Sequence, residues 1–308
     1  MSRTKENLSL DSAYFVAFEM THDALKRGVK NKSSLSITQY RMLVKLVITP
    51  EGIAQSDIAR IMGLKANVVT QAANALEQAG FARREADGAD ARSKRLFATD
   101  QGTDHVAAVN DSIIDQLYTL FPTEDDSWRA MLEASIAAGS QIDPPSSDEE
   151  LPYQASRALA SLERFRIAVE TGLKNACGAA YSDCRIMQRL GETARPMRIG
   201  EIAIQLQLSP VNVARAVDRL ADRGWVQRMG AEQDRKAVYV EMTDLGTSQQ
   251  QTIVRTVDEL GSELLWKRLT RTQRDAMRNV TETVIEGLRR KEEEKQLIDR
   301  GSLRPIER

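Results

Sequence analysis

Two clusters of hydrogen-bonding side chains recur in this chain at helical spacing. The first holds Lys65, Asn67, Thr70, Gln71 and Asn74; the second holds Ser209, Asn212, Arg215 and Arg219. Asn and Gln match the donor–acceptor edge of adenine and Arg that of guanine, each good bidentate pair discriminating by about 1–3 kcal/mol. Beyond each cluster lies a charged turn, with Arg92, Lys94 and Arg95 in one case and Arg235 and Lys236 in the other, suited to phosphate. Other chemistries have little to stand on. There is no Gly-rich phosphate loop, nucleophile elbow or metal-ligand spacing. His22 and His105 lie far apart, with no Cys or His beside either. The residues therefore predict a non-enzyme with no metal and no cofactor, whose partner is double-stranded DNA.

Such side chains need a helix and a turn to hold them. Ser209 is a good N-cap, and Pro210 suits the first helical position, where a missing N–H costs nothing. Val213, Val217 and Leu220 then form one apolar face, and Gly224 can end the helix in the left-handed conformation. Trp225 and Val226 open a strand, residues 230–236 form a charged turn, and Val238, Val240 and Met242 alternate as a returning half-buried strand should. A helix followed by a basic-tipped ribbon predicts a winged helix-turn-helix.

Sliding the chain by 144 positions lays this stretch on an earlier one without a gap. Arg41 meets Arg185, Ile58-Ala59 meets Ile202-Ala203, Leu64 meets Leu208, and Leu76 meets Leu220. Gly80 meets Gly224, Phe81 meets Trp225, Arg84 meets Arg228, and Thr99-Asp100-x-Gly102 meets Thr243-Asp244-x-Gly246. These are cap, core and turn positions, so the chain carries two copies of one module.

The motifs Asp57-Ile58-Ala59, Leu76-Glu77-x-x-Gly80-Phe81, Asp90-x-Arg92 and Thr99-x-x-Gly102, with Glu201-Ile202-Ala203, Leu220-x-x-x-Gly224-Trp225, Asp234-Arg235-Lys236 and Thr243-x-x-Gly246, resemble the MarR family of winged-helix regulators. Their order and spacing, found twice, carry the resemblance. It implies a mainly α fold with small β wings, two winged helix-turn-helix modules and a helical dimerisation region. Family members usually have one copy per chain and pair as homodimers, so this chain resembles a fused pseudo-dimer working as a single chain. The resemblance implies a DNA-binding transcriptional regulator, a repressor released by a small ligand, with Arg92 and Arg235 or Lys236 at the wing tips. Asp90 and Asp234 would hold the neighbouring basic side chains.

With 308 residues, 42% of them hydrophobic, the chain has material for two domains. A net charge of −1 argues against a polycationic coat but leaves room for a local basic face. No apolar run nears twenty residues, and two cysteines fit a reducing compartment, so a cytoplasmic protein with no membrane span is expected. The expected organisation is copy one over 8–140, a polar Pro-rich linker over 141–154, copy two over 155–290 and a charged tail over 291–308. In copy one, helices are expected over Leu10–Gly28, Ile37–Ile48, Ser56–Met62 and Lys65–Ala79, with wing strands over Arg83–Asp87 and Arg95–Thr99. Copy two is expected to end in a long helix over Thr247–Leu269 and a last helix opened by a Thr270/Gln273 capping box.

The copies are not equal. Lys65 stands where copy two has the Ser209 cap, and Gln71 stands where copy two has Arg215. Two unlike half-sites are expected, or a first copy that no longer contacts DNA. By resemblance, small aromatic acids bind between winged and helical parts, where Tyr14, Phe18, His22, Tyr40 and Arg41, and in copy two Phe165, Tyr181, Arg185 and Trp266, supply aromatic walls and an Arg. The competing expectation is that these aromatics are helix core and both arginines structural. Cys177 and Cys184 admit a redox-sensing alternative, and the fold admits a protein-interaction alternative.

Overall fold

The computed structural model describes residues 10–87, 90–120, 126–144, 151–231, 234–283 and 286, with the side chains at 87, 90–93, 127–128, 231 and 234–237 left out. In copy one, α1 (Ser12–Lys32) and α2 (Ile37–Val47) lead to β1 (Ile53–Ala54), α3 (Gln55–Met62) and α4 (Ala66–Gln78). The wing strands β2 (Ala82–Asp87) and β3 (Asp90–Ala98) follow, then α5 (Asp100–Leu120) and α6 (Asp126–Ser140). Copy two repeats the order as α7 (Gln154–Cys177), α8 (Tyr181–Thr193), β4 (Met197–Arg198), α9 (Ile199–Gln205), α10 (Pro210–Asp222), β5 (Val226–Ala231), β6 (Asp234–Met242) and α11 (Asp244–Leu264). A 3₁₀ turn at Trp266–Arg268 and a helix over 271–283 close it. The fold is mainly α with two small antiparallel sheets, ordered β1-β3-β2 and β4-β6-β5.

Several boundaries differ from the sequence expectation. α1 runs through Gly28 to Lys32, and β3 begins at Asp90 rather than Arg95. α11 starts at Asp244, because the Thr243 hydroxyl accepts from the Gly246 N–H and caps it, and ends at Leu264 rather than 269. The two-residue strands β1 and β4 are too short to show a period, so nothing in the sequence announces them.

The chain divides into two compact units, one of Met1–Met20 with Phe165–Arg308, the other of Thr21–Arg164. Both divisions fall inside helices, α1 and α7, so each copy's first helix places its N-terminal part among residues of the other copy. In the Thr21–Arg164 unit the apolar faces of α2, α4 and α5 bury Leu43, Leu46, Val69, Leu76, Val109 and Ile113. The stretch expected as a linker packs at its start: Gln141, Ile142 and Asp143 are buried. They pack because the Asp143 carboxylate accepts from the Lys45 ammonium at 3.2 Å and from Arg164 at 2.9 Å, removing the penalty of an unpaired buried charge. Arg157 donates to the Ser140 carbonyl at 3.1 Å, and the Tyr40 and Ser156 hydroxyls lie 2.7 Å apart. In the other unit the N-terminal part of α1 is held by the Ser12 N–H donating to Glu192 at 2.8 Å and Gln188 donating to the Leu10 carbonyl at 2.6 Å.

Candidate nucleic-acid interface

Each module presents a two-helix turn with its second helix turned outward. In copy one α3 ends at Gly63 in the left-handed conformation, and the Leu64 N–H donates back to Ala59 at 2.9 Å. Copy two repeats the turn with Leu208 donating to Ala203 at 2.9 Å, but Gln207, φ 51°, occupies the left-handed position. α4 buries Val69, Ala72, Ala73 and Leu76; α10 buries Val213, Ala216, Val217 and Leu220. Both helices end at a left-handed glycine, Gly80 or Gly224, after which Phe81 and Trp225 donate back to Leu76 and Leu220. That turn is what the Leu-x-x-x-Gly motif encodes.

The N-termini differ as expected. Ser209 accepts from the Asn212 N–H at 3.2 Å, whereas Lys65 caps α4 without a side-chain bond. Lys65, Asn67, Thr70, Gln71 and Asn74 are all exposed on α4, and Asn212 and Arg215 on α10. The side chains of Lys65, Asn67, Gln71, Asn212 and Arg215 make no hydrogen bond or ion pair among the described residues. Thr70 donates to the Ala66 carbonyl at 3.0 Å.

Three of the residues expected to contact DNA are engaged with partners inside the protein. Arg219 closes a two-pronged ion pair on the buried Asp183 of α8, at 2.5 and 3.1 Å, with Asp183 2% exposed and Arg219 48%. The hydrogen bonds that Arg219 donates to the Asp183 carboxylate hold its guanidinium above its ordinary pKa. This pair ties α10 to α8 and removes Arg219 from the free reading set. Asn74 accepts from Arg84 of β2 at 2.7 Å, and Arg84 also pairs with Glu77 at 3.0 Å. Arg95 folds onto the Gly52 carbonyl at 2.8 Å, bracing β3 against the turn before β1. Lys94 is exposed, while the side chains of Arg92, Arg235 and Lys236, with those of Asp90 and Asp234, lie outside the described residues.

The residues that orient the wings went unpredicted. Arg228 of β5 pairs with Asp218 of α10, as Arg84 does with Asn74, so one arginine in each copy braces the reading helix to the wing. The repeated Thr-x-x-Gly is a second brace. Thr99 and Thr243 donate to the Gly80 and Gly224 carbonyls at 2.7 Å and accept from the Gly102 and Gly246 N–H groups at 3.0 Å. A methyl on Gly102 would lie 2.2 Å from the Phe81 carbonyl oxygen, and one on Gly246 would lie 1.9 Å from that of Trp225.

The residues expected to line effector pockets separate between the units. Tyr14 and Phe18 stack with each other, and Phe18 meets Phe165 at 5.6 Å within the unit of Met1–Met20 and Phe165–Arg308. Tyr181 packs on Phe15 at 5.8 Å, Arg185 donates to the Leu206 carbonyl at 2.7 Å, and Trp266 is buried in the 3₁₀ turn. In the other unit His22 lies 2.5 Å from Glu163. Arg41 is 4% exposed, its Nε has no hydrogen-bond partner among the described residues, and burial lowers its pKa. The Cys177 and Cys184 sulfurs lie 3.9 Å apart. The neighbouring thiol, with Arg223 close by, lowers the Cys177 pKa to about 6, while that same contact and burial push Cys184 up. Among the described residues no group of three or more His, Cys, Asp or Glu could hold a metal, and no helix is long and apolar enough to cross a membrane.

Helix-turn-helix, reading helix and two-stranded wing, each built twice, define a tandem winged helix-turn-helix protein. Comparison with known proteins gives the family. MarR-family sequence profiles match residues 182–238 and residues 33–93. The chain is 24% identical over 94 residues to the transcriptional repressor MprA of Escherichia coli K12, covering 30% of this chain and 53% of that protein. It thus spans about half the length of the curated relatives it matches. Among solved structures, a MarR family transcriptional regulator from Streptomyces coelicolor in complex with DNA has 21% identity and a TM-score of 0.39, over 41% of this chain and 80% of that one. Wild-type MarR of Escherichia coli in its apo form has 21% identity and a TM-score of 0.31, over 35% and 82%. Both modules belong to the MarR family, and the chain is a tandem member of it.

Proposed function

We propose that this chain is a sequence-specific, DNA-binding transcriptional regulator of the cytoplasm. One chain acts as an intramolecular pair, its modules bounded at 8–140 and 155–290, joined through 141–154 and followed by a charged tail over 291–308. The observation that carries the reading is the twofold presentation of uncommitted donors on a braced helix: Asn67 and Gln71 on α4, Asn212 and Arg215 on α10. Lys94, Arg92, Arg235 and Lys236 would supply phosphate contacts from the wings. The exchange of first-helix segments between copies supports pairing within one chain, since a linker gives an effective concentration of roughly millimolar. The operator then has two unlike half-sites, one read by Gln71 and the other by Arg215. A repressor role is in keeping with the relative named as one. The test is a mobility shift with DNA flanking the chain's own gene. Binding should fall steeply as salt rises, because phosphate contacts release counterions. Failure to shift any flanking fragment at low ionic strength would remove the proposal.

An aromatic acid would act as effector by favouring a conformation that grips DNA poorly. Arg41 supports this reading, as a buried guanidinium next to Tyr40 whose Nε has no hydrogen-bond partner among the described residues. Titration with benzoate-class acids should release bound DNA from the parent protein but not from Arg41→Met; equal release from both would exclude Arg41.

The sulfur pair favours a second, additional reading. A hydroperoxide would oxidise the Cys177 thiolate to a sulfenic acid, releasing an alcohol or water. Attack by Cys184 would then form the disulfide and expel water. Two thiols should disappear per chain on treatment with hydroperoxide, and DNA affinity should change; unchanged affinity would discard the reading.

A further inference from the structure

Asn67 and Val211 occupy the same place in the two reading helices, 144 positions apart in the first turn. Both are exposed. At 58% Val211 is the most exposed large hydrophobic residue among those described. It lies outside the apolar face, where Val213, Ala216, Val217 and Leu220 are buried, and the cap is made by Ser209. The fold therefore has no use for a hydrocarbon at this position. Single exposed apolar residues are ordinary on protein surfaces and by themselves mean nothing. Place decides here. The N-terminal turn of a reading helix is the part that meets base edges, and Asn212 and Arg215 stand exposed beside it. An isopropyl group can neither donate nor accept, so facing a polar base edge it would leave that edge unsatisfied. The one apolar feature of the major groove is the C5-methyl of thymine.

We infer that Val211 is a specificity-determining residue, reading thymine through its C5-methyl in the half-site bound by copy two, where Asn67 reads adenine in the half-site bound by copy one. The inference rests on the DNA-binding reading above and deepens it.

The test uses the full chain and a randomised duplex library. From the enriched sequence, duplexes are made with each thymine replaced singly by deoxyuridine, which lacks only the methyl. One replacement should weaken binding about 4-fold, the worth of one buried methyl group, and the others should not. Val211→Ser, which carries no methyl, should bind the thymine and deoxyuridine forms of that site equally, and Val211→Asn should shift the enriched base there to adenine. Because Val211 is exposed, both variants should unfold at the parent's urea midpoint, so lost discrimination cannot come from lost fold. If a sequence is enriched but every deoxyuridine is tolerated, or the sensitivity persists in Val211→Ser, the inference is overturned while DNA binding stands. If the parent chain enriches no sequence, the DNA-binding reading itself fails and takes the inference with it.

Discussion

Gly246→Ala should destabilise the unit containing Phe165–Arg308, although the change improves helix propensity. Gly246 lies in the first turn of α11, where Ala is favoured over Gly by up to about 1 kcal/mol. Against that, the new methyl would sit 1.9 Å from the Trp225 carbonyl oxygen, where real contacts are essentially never under 3.0 Å. The obstructing atom is backbone, so α11 must retreat from β5 by about 1 Å. That carbonyl also accepts from the Thr243 N–H at 3.1 Å and from its hydroxyl at 3.2 Å. Overpacking of this kind costs about 1–3 kcal/mol, and weakening either hydrogen bond adds up to about 1 kcal/mol. The net expectation is a loss of about 1–2 kcal/mol. At an m-value of about 2 kcal/mol/M this lowers the urea midpoint by about 0.5–1 M. The assay is tryptophan fluorescence in a Trp128→Phe background, leaving Trp225 and Trp266 to report on this unit. Gly200→Ala is the internal control: this helical glycine has nothing within 4 Å of an added methyl, so propensity alone acts and the midpoint should rise. A Gly246→Ala midpoint at or above the parent's, with Gly200→Ala raised, would refute the reasoning.

Three further outcomes are expected. Arg219→Ala should cost more than Asp183→Asn, about 2–3 against about 1 kcal/mol, because the first strands a buried carboxylate while the second leaves a half-exposed arginine to water; equal urea midpoints would contradict the pairing. Gln207→Gly should stabilise the fold by up to about 1 kcal/mol, relieving the left-handed backbone that Gly63 occupies freely in copy one; a urea midpoint no higher than the parent's would contradict it. Burial holds the Lys45 pKa below its ordinary value and Asp143 opposes the fall, so Asp143→Asn should lower it further. The unfolded chain then binds more protons just below the ordinary lysine range, so stability should rise with pH there more steeply than in the parent; parallel slopes would count against it.

The repeat made the module legible because caps, apolar faces and turns are local and recur at fixed positions. Ser209, Leu220, Gly224 and Thr243 each do in the structure what their types imply. The partners of an element are not local, and periodicity is silent about them. Tyr14 and Phe18 follow the same period as Leu25, yet α1 is long enough to enter two units, and the period does not say which rings each part will meet. Exposure was similarly legible and commitment was not. Arg215 and Arg219 are one helical turn apart on α10, but only the structure shows Asp183 of α8 within reach of the second.

The differences between the copies can be sorted by what each position does. The brace positions keep their function: Arg84 and Arg228, Thr99 and Thr243, Gly102 and Gly246 make matching contacts. Changes on the outer face of the reading helices include those at 65 and 209, 67 and 211, and 71 and 215, where the side chains face water. Exposed substitutions away from caps usually move stability by less than about 0.5 kcal/mol, so divergence there is cheap and by itself says little about use. Gln71 against Arg215 exchanges one hydrogen-bonding group for another, and either is at home in water. A valine at the first turn of α10 is different, since it gains nothing from solvent, core or cap. That absence of any folding reason is what makes Val211, rather than the more conspicuous Arg215, the informative difference between the two reading helices.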